Sequence, residues 1–380
     1  MKKVLRIVTS SVSFDLLIGQ LRFLSENGFE IIGVSGEPED KAKNTGEKEG
    51  IRTILIKHLV RPINPTKDIK ALLELIRVIK EEKPFIVHAN TPKGSFLGML
   101  AAKFCRVPHR IYTVTGLRFE TATGFFRWLL ITMERITCAC ATKVIPEGDG
   151  VAATLQRERI TSKPLKKILN GSINGIDIEY FSLTDSIKKE AIQIRQEIGG
   201  KFIFIFVGRI VRDKGIKELL EAFQHLQSEH PECKLLLVGR QEPDLDPISK
   251  ETILIIKDNQ AISEIGWQAD VRPWLAASDA LVFPSYREGF PNVVIQACAM
   301  SLPSVVTDIN GCNEIIIEGE NGYIVPTHNT QALYEAMRKL IENTSTTVKM
   351  AQEARPLILN RYEQKNIWEA ILSEYQRLIT

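Results

Sequence analysis

Two short stretches hold side chains that could do chemistry on one ligand. In VGRIVRDKG, residues 207–215, Gly208 and Arg209 end an apolar run and Lys214 follows. A guanidinium offers two oxygens a fork of N–H bonds and an ammonium adds a point charge, so the pair suits a diphosphate. In YREGFPNVVIQA, residues 286–297, Glu288 stands on a turn after the apolar run ALVFPS, and Gly289 admits a close backbone approach. Phe290, Pro291, Asn292 and Val293 then make the first turn of a helix, whose N–H groups and dipole favour phosphate. Gln296 lies a little over two helical turns beyond Glu288, so it returns to nearly the same side. A ligand lying along this path meets a polar group, a phosphate site and a second polar group. That is the outline of a nucleotide-sugar.

Such groups need a frame, and the chain alternates short β-branched runs with amphipathic stretches. VLRIVTS, FEIIGVSG, IRTILIKH, FIVHAN and RIYTVTG read as strands. Residues 16–28, 64–84 and 94–105 between them read as helices; in the second of these Ile69, Leu72, Leu73, Ile76 and Ile79 recur at helical spacing and Pro84 stops it. The pattern restarts after the turn-rich KKILNGSINGIDIEYF with strand KFIFIFVGRI. Helix GIKELLEAFQHLQ follows, then strands CKLLLVGR and ETILIIKD (251–258), and then further alternation. Alternating β and α with buried strands predicts parallel sheets covered on both faces. The expected fold class is α/β, with two Rossmann-like doubly wound domains facing across a cleft. Their expected bounds are 1–175 and 176–362, with a last helix, 363–380, packing back on the first domain through Ile367, Trp368, Ile371, Leu372 and Tyr375. Ligands in such sheets bind beyond the carboxyl ends of the strands, which is where both stretches fall.

Bulk properties narrow the field. The chain has 380 residues, too many for one ordinary core, and a net charge of only +3, which by itself implies no polyanion partner. A basic bias in the first third, from Lys2, Lys3 and Arg6 to Arg118 and Arg127, reads either as a solvated surface or as a face for phosphates and anionic membranes. Six cysteines show no paired C-x-x-C spacing, so a reduced cytoplasmic protein without disulfides or a zinc site is expected. MKKVLRIVTSS reads as a charged cap on a strand, not a signal peptide. GFFRWLLITMERITCACA (124–141) is interrupted by Arg127, Glu134 and Arg135, so it reads as a core helix or one lying on a bilayer. No G-x-G-x-x-G follows the first strand, which removes the main support for a dinucleotide dehydrogenase. After FIVHAN, Lys93 and Gly94 open a helix whose N-terminus favours an anion, while His88 reads as a satisfied core histidine.

FVGRIVRDKGIKELLEAF, SDALVFPSYREGFPNVVIQACAMSLPSVVTDINGCNEII and EGENGYIVP resemble the C-terminal half of the retaining family-four glycosyltransferases of the GT-B fold. The stretch from NPTKDIKALLELIRVIKEEKP through YTVTGLRFE, with NGSINGIDIEYF, resembles the N-terminal half of their bacterial capsule and O-antigen polysaccharide branch. The resemblance implies that Arg209 and Lys214 hold the donor diphosphate and that Glu288 bonds the sugar near its C3 and C4 hydroxyls. It implies that N–H groups at 290–293 assist on phosphate and that position 296 binds ribose. Gln296 departs from the usual Glu, keeping an acceptor oxygen but not the charge. Thr115 stands where many relatives place His, and IPEGDGV stands where a Ser-Glu pair is common.

The family is described as using front-face substitution, in which the leaving phosphate takes the acceptor proton. No catalytic base, cofactor or metal is then expected, and Asp244-Leu-Asp246 reads as an exposed loop rather than a metal motif. Ser11, Ser13, Lys93, Thr115 and Arg118 are the candidates on the acceptor side. The implied function is transfer of a sugar from a nucleotide-sugar, expected to be UDP-linked, to a polyprenyl-diphosphate-linked saccharide at the inner face of the cell membrane. No nucleic-acid partner is implied. A non-catalytic nucleotide-sugar-binding or scaffold protein, and a sugar-nucleotide 2-epimerase, are the alternatives weighed.

Overall fold

A computed structural model describes residues 1–242 and 246–379 of the chain. Asp244 of the Asp244-Leu-Asp246 stretch lies outside the described residues. The chain divides into two units, Met1–Gly175 with Gln364–Thr380, and Ile176–Glu363.

In the first unit, β1 (Lys2–Ser10) leads through a 3-10 turn (Ser11–Leu17) to α1 (Gln20–Glu26), β2 (Phe29–Gly36), α2 (Glu39–Glu49) and β3 (Arg52–Leu55). Then come α3 (Pro65–Glu82), β4 (Ile86–Ala89), α4 (Pro92–Phe104), β5 (His109–Val114), α5 (Gly124–Cys140), β6 (Lys143–Pro146) and α6 (Asp149–Arg157). The second unit begins with α7 (Asp185–Ile198), β7 (Phe202–Val207), α8 (Ile216–Glu229), β8 (Cys233–Val238), α9 (Lys250–Asp258) and β9 (Ile262–Gly266). It continues with α10 (Arg272–Ala276), β10 (Ala280–Phe283), α11 (Asn292–Ala299), β11 (Ser304–Thr307), α12 (Cys312–Ile315), β12 (Gly322–Val325), α13 (Thr330–Glu342) and α14 (Thr344–Tyr362). α15 (Gln364–Gln376) returns to the first unit.

Each unit holds a six-stranded sheet, ordered β3-β2-β1-β4-β5-β6 and β12-β11-β10-β7-β8-β9. Counted from the first strand of each unit the two orders are the same. Every pairing is parallel, as buried β-branched strands require. In this order the direction of winding reverses between the first and fourth strands, which opens a crevice at their carboxyl ends. The two switch points therefore lie after β1 and β4, and after β7 and β10.

Packing follows the strand period. Leu5 and Ile7 of β1 pack on the α3–α5 face, while Val4 and Val8 face the other way and share a core with Phe14, Ile31, Ile367, Ile371 and Tyr375. The returning helix thus packs as expected. Trp368 also fits the expected face: its indole N–H donates to Asn174 Oδ1 at 2.7 Å.

Several expectations are corrected. Residues 251–258 form helix α9, not a strand; Ser249 caps it by accepting from the Thr252 N–H, and the edge strand is β9. The helix expected over 16–28 is a 3-10 turn followed by α1, broken at Gly19. In α3 Leu72, Ile76 and Ile79 pack on the core as expected, but Ala71 and Leu75 complete that face, while Ile69 and Leu73 are exposed. Two members of the basic bias are not surface charges: Arg6 is fully buried, and Lys93 is buried and ion-paired with Asp68 at 2.7 Å.

Candidate active site

In the second unit the loops after β7 and β10 meet. After β7 the chain passes Gly208 and Arg209 into a 3-10 turn, Arg212–Lys214, which ends at Gly215 in the left-handed region. A Cβ on Gly215 would sit 2.1 Å from the Pro284 carbonyl oxygen, so only glycine lets this turn lie against the loop leaving β10. Asp246 fixes the turn from the other side. Its carboxylate accepts from the Asp213 N–H at 2.7 Å and pairs with Arg212 at 3.2 Å, so it is a buttress and not part of an exposed loop.

The turn carries Lys214 to Glu288. The two form an ion pair whose side chains are only 13% and 18% exposed. Ser285 donates its hydroxyl to the same carboxylate oxygen at 2.9 Å, and the Lys214 ammonium also lies 5.3 Å from the centre of the Phe283 ring. Arg209 points to a different carboxylate, Glu242, at 2.8 Å, and is half exposed. Both expected cations are therefore neutralised by protein carboxylates. A polyanion would take over partners already in place, and it would release Glu288 as a hydrogen-bond acceptor.

The helix tip follows at once. Phe290 and Pro291 are buried, while Asn292, Val293 and Gln296 are partly exposed on α11. Pro291 has no N–H, so the first-turn donors are Phe290, Asn292 and Val293. Gly311, in the loop after β11, closes on this tip: a Cβ there would sit 2.6 Å from the Gly289 carbonyl and 2.8 Å from Pro291 Cδ. Asn292 Oδ1 is buried with no hydrogen-bond partner among the described residues, an acceptor open to a ligand donor.

Other groups here were not singled out from sequence. Ser285 and Glu242 are the partners just named. Arg287 pairs with Asp213 at 3.3 Å, and Tyr286 donates to Glu218 at 2.5 Å while its ring lies tilted against His328, centroids 3.7 Å apart. Burial, with Glu218 beside it, pushes the Tyr286 phenol well up. Burial likewise raises the Cys312 thiol, which makes it inert as a nucleophile. Only Ser285 had a signal in the sequence, its position next to the turn.

The first unit treats its candidates differently. At its switch point the Ser11 hydroxyl is buried and donates to the Pro38 carbonyl at 2.7 Å, and Ser13 lies half-buried on the 3-10 turn. The Gly94 N–H, expected to await an anion, donates to Thr9 Oγ1 at 2.8 Å. Lys93 donates to the Pro62 carbonyl as well as to Asp68, so it ties the segment after β3 to α4 and is not a free cation. Thr115 donates to the Asn90 carbonyl at 2.7 Å, and Arg118 is exposed in a short turn after β5. His88 is the satisfied core histidine expected, bonded to Arg6, Tyr375 and Thr113.

Comparison with known proteins gives the family. Residues 187–356 match the family model for glycosyl transferases group 1, and residues 3–147 match that for glycosyl transferase 4-like domains. The chain is 33% identical to the capsular polysaccharide biosynthesis glycosyltransferase CapM of Staphylococcus aureus, over 100% of this chain and 98% of that one. It is 26% identical to the Escherichia coli UDP-Gal:alpha-D-GlcNAc-diphosphoundecaprenol alpha-1,3-galactosyltransferase, over 83% of this chain and 81% of the other. Among solved structures, Anabaena HepE with UDP-glucose shares the fold at TM-score 0.82 and 19% identity, covering 99% of this chain and 100% of that one. A matching pair of family models across both units, with a one-third-identical relative along its whole length, places this chain among the family-four glycosyltransferases of the GT-B fold.

Proposed function

We propose that the chain is a retaining transferase that moves a sugar from a UDP-linked donor to a lipid-linked saccharide in cell-surface polysaccharide synthesis. The observation that carries this reading is the Lys214–Glu288 pair at the switch point of the second sheet, next to the tip of α11 and one loop from Arg209. Arg209, Lys214 and the N–H groups of Phe290, Asn292 and Val293 bind the diphosphate, with Gly208 giving the backbone room. Glu288, once Lys214 turns to phosphate, accepts from the sugar hydroxyls, and Gln296 bonds the ribose. As the bond from C1 to the diphosphate oxygen breaks, negative charge builds on the diphosphate, where two cations and a helix tip stabilise it. The acceptor hydroxyl attacks from the same face and its proton passes to the leaving phosphate oxygen, so no side-chain base or metal takes part.

The names of two relatives, from E. coli and Campylobacter jejuni, include diphosphoundecaprenol acceptors, and the first also includes a UDP-sugar. Those names support both substrate classes here. On α5 the side chains of Phe125, Phe126 and Trp128 are exposed, which supports contact with a membrane surface from the cytoplasmic side, while Arg127 between them is paired with Glu158 at 2.8 Å. Among the described residues no helix is long and apolar enough to cross a membrane.

The test is transfer by the purified chain from UDP-sugars to a prenyl-diphosphate-linked sugar, with chelator present and with the anomeric configuration of the product read by NMR. Arg209→Ala and Glu288→Ala should each lower kcat/KM by about a hundredfold or more while the melting temperature moves by a few degrees. An active Arg209→Ala, or inversion at the anomeric carbon, removes the mechanism. Donor binding without turnover instead favours a binding protein, and failure to float with anionic liposomes removes the membrane contact.

A further inference from the structure

A second concave site lies in the first unit, at the carboxyl ends of its strands. Arg61 and Ile63 follow β3, Arg118 follows β5, and together with α4 and α5 they line a recess open to solvent. Its lining is of two kinds. Arg61 and Arg118 are exposed cations. Phe96, Leu130 and Met133 are apolar.

Two further groups decide the local charge. Lys93 spends its ammonium on Asp68 and the Pro62 carbonyl, which pins the segment carrying Arg61 and neutralises Asp68. Glu134 also lines the cavity and accepts from the Tyr112 hydroxyl at 2.7 Å. Burial pushes its carboxyl up to about 7, so its negative charge is lessened but not absent at neutral pH, against two arginines in the same lining. Leu130, Met133 and Glu134 recur at helical spacing on one face of α5, while Phe125 and Trp128 stay exposed and stack at 5.5 Å. One helix therefore lines a cationic and apolar cavity and presents aromatic rings to solvent.

We infer that this cavity seats the phosphate-bearing end of a prenyl-diphosphate-linked acceptor, its phosphates on Arg61 and Arg118 and its first prenyl units against Phe96, Leu130 and Met133. The inference rests on the lipid-linked acceptor proposed above and assigns that acceptor a place. The surface formed by Phe96, Leu130 and Met133 suits a hydrocarbon chain. A simple phosphate leaves that surface unused.

The experiment is calorimetry on the intact chain with farnesyl diphosphate as a soluble probe, and with inorganic diphosphate and UDP in parallel. Farnesyl diphosphate should bind at least about tenfold more tightly than inorganic diphosphate, because the prenyl chain buries apolar surface. Arg61→Gln and Met133→Trp should each weaken it by about tenfold, with UDP binding unchanged. Arg61 is exposed, so its substitution should not compromise folding even if Met133→Trp does. Equal affinity for the two diphosphates, or an unchanged affinity in Arg61→Gln, overturns the assignment. UDP binding by a chain that ignores farnesyl diphosphate fails this site and leaves the donor reading standing. The converse result upholds the site and fails the donor reading.

Discussion

Glu134 is a carboxyl group placed where charge is expensive. Its hydrogen bond from Tyr112 partly offsets the burial, yet the group titrates near 7 instead of 4.5. Between those values the folded chain binds a proton that the unfolded chain has lost, so stability falls as pH rises through the interval and the penalty is complete above about 7. Glu134→Gln keeps an acceptor for Tyr112 and removes the ionisation. Urea unfolding should find it close to the parent at pH 5 and more stable by about 1–3 kcal/mol at pH 8. A loss of stability at both values means that the carboxylate is charged and held by its bonds. In GFFRWLLITMERITC the residue shows only as a charge interrupting an apolar run, because its setting depends on Tyr112, a strand away. Glu288, in contrast, was legible. A carboxylate before a helix start is ordinary as a cap, but Gly289 beside it marks a close backbone approach.

At the scale of elements, the strand–helix alternation could be read wherever one face is buried and the period is clear. It failed at 251–258, where Ile253, Leu254, Ile255 and Ile256 form an unbroken apolar run that fits either a strand or a helix. The deciding signal was the cap, Ser249 three residues before Thr252, with Lys257 in the last turn. α3 failed differently. Its period was right and Leu72, Ile76 and Ile79 pack on the core, but Ile69 and Leu73 point outward and Ala71 and Leu75 complete the buried face. Loop contacts such as Gly215 on Pro284 leave a glycine in the sequence and no partner. That contact is testable. Gly215→Ala adds a Cβ 2.1 Å from a backbone oxygen at φ +67°, so the turn bearing Lys214 must move. The expected cost is about 1–3 kcal/mol, seen as a lowered melting temperature. Transfer should fall more than stability explains, because Lys214 leaves Glu288. If transfer at a temperature where the variant is fully folded matches the parent, the turn does not position Lys214.

Across the whole molecule, the chain leaves the first unit at Gly175 and comes back at Gln364, so that unit is closed by residues from both chain ends. Ile176 and Glu363 form a parallel bridge where the second unit begins and ends, and the Ile176 N–H donates to the Tyr362 carbonyl at 2.9 Å. α15 then sets Tyr375 against the buried Arg6. The guanidinium donates to Tyr375 at 2.9 Å, to Asn90 Oδ1 at 2.9 Å and to His88 Nδ1 at 3.0 Å. These acceptors are neutral, and they stay so because burial and the charge on Arg6 push the His88 pKa far down. A neutral His88 accepts at Nδ1 from Arg6 and from the Tyr375 hydroxyl, and it donates from Nε2 to Thr113 at 2.7 Å. Tyr375→Phe removes one acceptor for Arg6 and one donor to His88 while keeping the ring. Hydrogen exchange resolved by peptide should show the first unit weakened by about 1–3 kcal/mol and the second unchanged. The pH dependence adds a sign. Because His88 resists protonation only when folded, the first unit loses stability as pH falls below 6.5, where the unfolded chain takes up the proton. His88→Gln should flatten that acid slope, and an unaltered slope means that His88 is not the group responsible.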